Sequence, residues 1–358
     1  MSALAVVAAA GARTPLGLTA AQTGFLLRAG MAAMAAAPLC DAEGGAVTMC
    51  FDTTLAPLCV GEERACALAL AALGEALAAV PEAGRPRSAL LLLCLDGAGG
   101  GGAGGGGRRR GGAAPGAAVA AAVHASAEQR LGAVELEVVA RGAAGAAWAL
   151  GPALARLAAR QIDAVLLGGV HTDYDPLAIR ALEAQGRLFS PKNPDAVVPG
   201  EAAAFALLAR PERARLRDGG STACLVAVGT GEERAGPDND HSSFEARGLT
   251  AAVRGAAAAI EPAQGRIGWA ITDLAFEQAR HHEWSAVLTR THALWCEPHA
   301  LDAPAQRLGR LGAAALPLGL VLAAEGWRRG WAPAPRALAI AGSDTGERGA
   351  LLLEAQEG

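Results

Sequence analysis

Short apolar runs alternate with longer Ala- and Leu-rich stretches along this chain. Leu4–Ala9, Ser88–Leu95, Val134–Val139 and Ala164–Leu167 read as strands. Between them, Thr19–Arg28, Ala65–Ala79, Ala117–Leu131 and Gly145–Arg160 read as helices. The second half repeats the theme. Strands are predicted at Phe205–Leu208, Ala223–Val228, Trp269–Leu274, Arg336–Ala341 and Ala350–Leu353. Helices are predicted at Phe244–Ile260, Trp284–Trp295 and Ala313–Trp327. Runs such as Ala89-Leu90-Leu91-Leu92-Leu93-Cys94 are apolar at every position, so such strands are expected to be covered on both faces. The alternation of strand and helix predicts an α/β class.

Composition sharpens this picture. Hydrophobic residues make up 52% of the 358 residues but aromatics only 4%, so Ala, Leu and Val must fill the core. Close packing of helices on strands follows. The net charge of −4 is spread along the chain and offers no surface for nucleic acid or an anionic membrane. Lys192 is the only lysine. Seven cysteines, an odd number with no CxxC pair, argue against a disulfide framework. The apolar N-terminus lacks a basic leader and is expected to be a first core strand. No apolar run approaches the roughly 20 residues that span a bilayer. A cytoplasmic location is therefore expected. The run at 97–112, rich in glycine and holding Arg108-Arg109-Arg110, lacks the phosphate-loop pattern and reads as an exposed loop. A contact with an acidic carrier protein is the alternative for its arginines.

Several motifs fall in a telling order. An apolar strand, Ala5–Ala10, runs into Gly11 and then Thr14-Pro15-Leu16-Gly17. Gly168-Gly169 closes Asp163-Ala164-Val165-Leu166-Leu167. Gly200-Glu201-Ala202-Ala203 opens the next strand. Leu308-Gly309-Arg310-Leu311-Gly312 and the loop Ser343-Asp344-Thr345-Gly346 follow. In order and spacing this set resembles the β-ketoacyl synthases of the thiolase superfamily. The resemblance implies a duplicated thiolase-like fold, layered αβαβα with two mixed central sheets. Its halves are expected at 1–176 and 177–358. Gly168-Gly169 is expected to let a buried strand turn sharply, Gly200 to admit the chain beneath a packed helix, and Glu201 to bond backbone N–H groups.

The chemistry that the resemblance implies needs a cysteine at the N-terminus of a buried helix, where the dipole stabilises the thiolate. It also needs two histidines and an oxyanion hole. Here the nucleophile position falls at Ala143, and the histidine positions fall near Asp273 and on Arg310. The usual lysine falls near Ala305, with Arg307 close by. No cysteine lies between Cys94 and Cys224, and no histidine follows His299, so a small shift of alignment restores nothing. The expectation is a ketosynthase-like protein without condensation activity, a partner, scaffold or adaptor. Subunits of the chain-length-factor kind also lack the nucleophile, but often carry Gln where this chain has Ala143. A homodimer or a heterodimer with a related subunit is expected, paired through Val134–Val139, with an acyl carrier protein as a possible partner. No cofactor is expected. Trp148, Ser343, Asp344 and Thr345 are the expected lining of the former acyl pocket and oxyanion loop. Asp273 and Arg310 are expected to form a bidentate ion pair closing it; a ligand carboxylate or phosphate on Arg310 is the alternative. The competing function is an acyltransferase of the 3-oxoacyl-carrier-protein synthase type, or an acyl-binding protein, using non-standard residues such as Cys94 or Cys224.

Other constellations carry less. His292, Cys296 and His299 have helical spacing for a metal, but Pro298 interrupts it and no fourth ligand is evident, so no metal site is expected. His171-Thr172-Asp173 invites a metal reading, yet Asp175-Pro176 reads more simply as a turn or helix start. His281-His282-Glu283 lacks HExxH spacing, and no GxSxG supports a serine hydrolase.

Overall fold

A computed structural model describes residues 3–97, 116–212, 222–234, 245–260 and 265–356. The Gly/Arg run predicted as a loop lies, from residue 98 to 112, outside the described residues. The first half contributes strands β1 (Ala5–Arg13), β4 (Ser88–Leu95), β5 (Ala133–Ala140), β6 (Ala164–Thr172) and β7 (Glu201–Ala209). A separate hairpin pairs β2 (Met34–Cys40) with β3 (Ala46–Cys50). Helices α1 (Ala20–Arg28), α2 (Gly61–Ala78), α3 (Ala117–Leu131), α4 (Gly145–Ala158) and α5 (Pro176–Ala184) lie among them. The second half supplies β8 (Thr222–Glu232), β9 (Ile267–Thr272), β10 (Trp295–Asp302), β11 (Arg336–Gly342) and β12 (Glu347–Gln356). Its helices are α6 (Arg247–Ala257), α7 (Gln278–Thr291), α8 (Ala305–Leu308) and α9 (Ala315–Arg328).

The strands of the first half run in the order β5-β4-β6-β7-β1, and those of the second in the order β10-β9-β11-β12-β8. Counted within its own half, each order is 3-2-4-5-1: the fold is duplicated. The expected two sheets are not separate. β1 and β8, the first strand of each half, pair antiparallel through Ala5–Leu225 and Val6–Cys224 and join the halves into one ten-stranded mixed sheet. The repeat also places the junction between Ala209 and Thr222. A boundary at 176/177 would cut β7 from β1 and β6, its two neighbours.

Side-chain alternation explains the layers. Along β4, Leu90, Leu92 and Cys94 belong to the central core with α4 and α9, whereas Leu91, Leu93 and Leu95 pack with α2 and α3. In the second half, Trp269, Ile271, Ala337 and Ala339 join the central core, while Ala270, Leu338 and Ile340 pack with α6 and α7. The result is helix, sheet, helix, sheet, helix. Alanines let α4 and α9 lie close to both halves; a Cβ on Gly349 would come within 2.6 Å of Ala147 Cβ.

The glycine pair corrects an expectation. Gly168 and Gly169 make no turn; both sit inside β6, paired with Phe205 and Ala204. Close approach is what they serve. A Cβ on Gly168 would meet Phe205 Cε1 at 2.1 Å, and one on Gly169 would meet the Ala313 carbonyl oxygen at 2.3 Å. Gly200 meets the Leu308–Arg310 backbone in the same way, with a Cβ there 2.6 Å from Arg310 N.

Candidate functional site

Both halves aim the carboxyl ends of their parallel strands at one place, where open α/β sheets bind ligands. β4 leads to Asp96, β5 to Arg141 and β6 to Asp173. From the other half, β9 leads to Asp273 and β11 to Ser343. A cavity of about 130 Å³ lies there, and Ala143, Asp273, Arg310, Ser343, Asp344 and Thr345 all line it. Trp148 does not. It is partly buried one turn into α4, beneath Arg141, whose guanidinium carbon is 5.1 Å from the ring centroid. Among the described residues its indole N–H has no hydrogen-bond partner.

Ala143 occupies a short turn, Gly142–Ala144, that leads into α4. The Ala144 N–H donates to Ser343 Oγ at 3.0 Å, and Ser343 Oγ donates to the Arg141 carbonyl at 2.5 Å. A serine hydroxyl thus takes up polar groups of the turn where the resemblance places a nucleophile. Gly142, at φ 60°, keeps that contact open, since a Cβ there would lie 3.2 Å from Ser343 Oγ.

The expected Asp273–Arg310 pair is absent. Arg310 instead forks onto Asp173, through Nε at 3.0 Å and Nη2, and Nη1 approaches Asp344 at 3.6 Å. Asp273 takes Arg280 Nη2 at 2.7 and 2.8 Å and the Gly342 N–H at 2.8 Å. The reason is proximity. The segment after α8 hydrogen-bonds through Arg310 N to Val198, which carries Arg310 toward the end of β6, whereas α7 begins beside the end of β9. Further pairs lie in the lining and behind it. Arg187 bridges Asp344 (2.8 Å) and Glu277 (2.8 Å), and Glu283 bridges Arg280 (2.6 Å) and Arg348 (2.6 Å).

Behind Arg310 sits an array that sequence reading missed. His171 bonds Asp96 through Nδ1 and Asp173 through Nε2 at 3.0 Å, while Asp173 also accepts the Gly200 N–H at 3.2 Å. Burial alone would lower the His171 pKa, but Asp173 and then Asp96 outweigh it and raise it to about 10. The imidazole is therefore an imidazolium, donating from both nitrogens. Burial pushes the Asp173 carboxyl up, yet Arg310 and His171 hold it well below the usual carboxylate range. Asp344 is likewise lowered, by Arg187, Arg310 and Arg280 against burial. The signal for His171 lay in the parallel register: Cys94 pairs with Gly169, so two residues on, Asp96 stands beside His171.

Glu201 is fully buried at the start of β7, and its partners differ from the expectation. It accepts one backbone N–H, from Asp52 at 2.6 Å, and Thr172 Oγ1 at 2.8 Å. The other bonds come from the fully buried Arg64, at 2.7 and 2.9 Å, which also lies over the ring of Tyr174. His292, Cys296 and His299 straddle the end of α7 and the start of β10, and among the described residues no group of His, Cys, Asp and Glu has metal-binding geometry. Asp175 caps α5, with Pro176 as its first residue. Among the described residues no helix is long and apolar enough to cross a membrane.

Comparison with solved structures gives the class of fold. The chain is similar to the ishigamide ketosynthase/chain length factor, at 18% identity and TM-score 0.73, over 99% of each chain. It is similar to an oxazolomycin ketosynthase domain of Streptomyces albus, at 16% identity and TM-score 0.72, over 99% of this chain and 74% of that one. A third is a type II polyketide ketosynthase solved with its acyl-carrier protein and bound to the hexaketide, at 14% identity and TM-score 0.75, covering 99% and 100%. The fold is thus the thiolase-like fold of the ketosynthases. No protein-family model matches the sequence, and no curated protein matches it.

Proposed function

We propose that this ketosynthase-like protein has lost condensation chemistry and acts as a non-catalytic partner or scaffold beside acyl-carrier-dependent enzymes. The observation that carries the reading is the cavity wall at Ala143. The residues that open α4 carry no thiol or hydroxyl, the Ser343 hydroxyl that reaches them is engaged by the Ala144 N–H and the Arg141 carbonyl, and the arginines near the two expected histidine positions are paired with carboxylates. Arg310 is held by Asp173, and Asp273 holds Arg280. Ion pairs of this kind leave no free imidazole to polarise a thioester carbonyl.

Surrogate nucleophiles are poorly placed for the competing acyltransferase reading. Burial pushes the Cys94 thiol up to about 12 and the Cys224 thiol up to about 11. A dimer through β5 accords with its place at the end of the sheet, where Leu136 and Val138 are 36% and 46% exposed. A carrier protein as partner is supported by the similar ketosynthase solved with one. The test is intact-protein mass spectrometry after incubation with acetyl-, malonyl- and long-chain acyl thioesters. No adduct is expected on the folded protein; a stoichiometric adduct would overturn the reading, and peptide mapping would name the nucleophile.

A further inference from the structure

We propose that a second cavity, between α1, β10 and α9, is a binding site for a small monocarboxylate with one ring-sized apolar body. It shares no lining residue with the cavity at Ala143. Its volume is about 160 Å³, close to that of a cavity of about 150 Å³ that holds a single benzene ring. The inner wall is apolar and rigid: Trp269, Ile271 and Leu322 are all buried. Trp331 closes the side, packed edge-on to Trp269 at 5.9 Å between ring centroids. Gly24 of α1 lets that ring lie flush, because a Cβ there would come within 2.9 Å of Trp331 Cζ2.

The rim supplies the charge. Arg28 is exposed, with its guanidinium carbon 5.7 Å from the Trp331 centroid. Arg307 donates one Nη1 bond to the Leu27 carbonyl at 3.0 Å. Among the described residues neither guanidinium is paired with a carboxylate, in contrast to the arginines lining the first cavity. Asp302, the one acid in the lining, already accepts the Trp269 indole N–H at 2.8 Å. Two guanidiniums over an apolar wall complement a carboxylate carried on a ring. The carboxylate would take charge-assisted bonds at the rim while the ring replaces solvent on Trp331 and Leu322.

Titration of the full chain with benzoate, followed by tryptophan fluorescence and by saturation-transfer NMR on the ligand, tests this. One saturable site per chain is expected. Arg28→Gln, at an exposed position, should weaken binding about tenfold, the size of one lost charge-assisted bond. Gly24→Ala should abolish binding by driving Trp331 into the cavity, with the far-UV circular dichroism unchanged. Absence of saturation with folded protein would overturn the proposal. So would benzoate binding that Arg28→Gln leaves intact, or toluene or benzylamine binding as well as benzoate.

Discussion

Glu201 and Arg64 are joined by an ion pair with no exposed side-chain surface on either partner. Removing one partner of such a pair strands a buried charge, which costs about 3–5 kcal/mol. Glu201→Ala should therefore lower urea-unfolding stability by about that amount, whereas the paired change of Arg64 and Glu201 to leucine should cost less than the single one; equal losses would mean that the charge itself is not what is buried at cost. His171 adds a pH dependence whose sign is fixed by its neighbours. Its ordinary value of 6.5 is raised to about 10 in the folded chain. A raised folded pKa contributes stability fully present below the unfolded value and lost as pH rises through the folded one. The urea midpoint should thus fall between about pH 6.5 and about pH 10, and the fall should be shallower in His171→Gln; identical slopes would exclude His171 as the protonated bridge. At this scale chain order and glycine landmarks pointed to Ala143, Asp273 and Arg310, and these three residues do line one cavity. Their partners Asp173 and Arg280 were not legible, because a pairing choice depends on which strand end each arginine reaches in space.

Elements were legible where burial dictates their composition. Ser88–Leu95 and Ala117–Leu131 match the observed β4 and α3, and Thr19 caps α1 by accepting the Gln22 N–H. The misses are strands with little to bury. β2 holds Ala35, Ala36 and Pro38 on exposed positions, and β10 runs through Glu297-Pro298-His299 at the sheet end, where a proline is tolerated and apolar residues are not required. The helix expected over Trp284–Trp295 accordingly ends at Thr291, and β10 begins at Trp295. β5 sits at the opposite end of the sheet and makes the converse case. Glu135, Leu136, Glu137 and Val138 are all exposed, and Arg156 of α4 reaches Glu135 at 2.9 Å. A strand edge with exposed Leu136 and Val138 favours pairing with a second chain. Val138→Lys should convert a dimer to monomers in analytical ultracentrifugation, with the thermal unfolding of each chain little changed, because Val138 is not part of the packed core. A wild-type monomer at all concentrations, or a dimer that survives Val138→Lys, would place any interface elsewhere.

At the scale of the whole molecule, two copies of one strand order present the ends of β4, β5, β9 and β11 to a single cavity, and the lining residues determine what that geometry can do. A largely buried helix begins at Gly145, just after Ala143, and its dipole favours a thiolate at position 143. Ala143→Cys should therefore create a thiol that iodoacetamide and acetyl thioesters modify at neutral pH, one per chain by intact mass, while the wild-type protein stays unmodified under the same conditions. Condensation should not accompany it. Decarboxylation of a malonyl group needs donors free to meet the developing enolate, and here Arg310 is committed to Asp173 and Arg280 to Asp273 and Glu283. The expected result is an acylated Ala143→Cys protein that releases no extended chain on addition of malonyl thioester. Chain extension by that variant would mean that the ion pairs open readily and do not bar condensation. Failure even to acylate would mean that Ser343, bonded across the turn to Ala144 and Arg141, closes the site to substrates before the chemistry is reached.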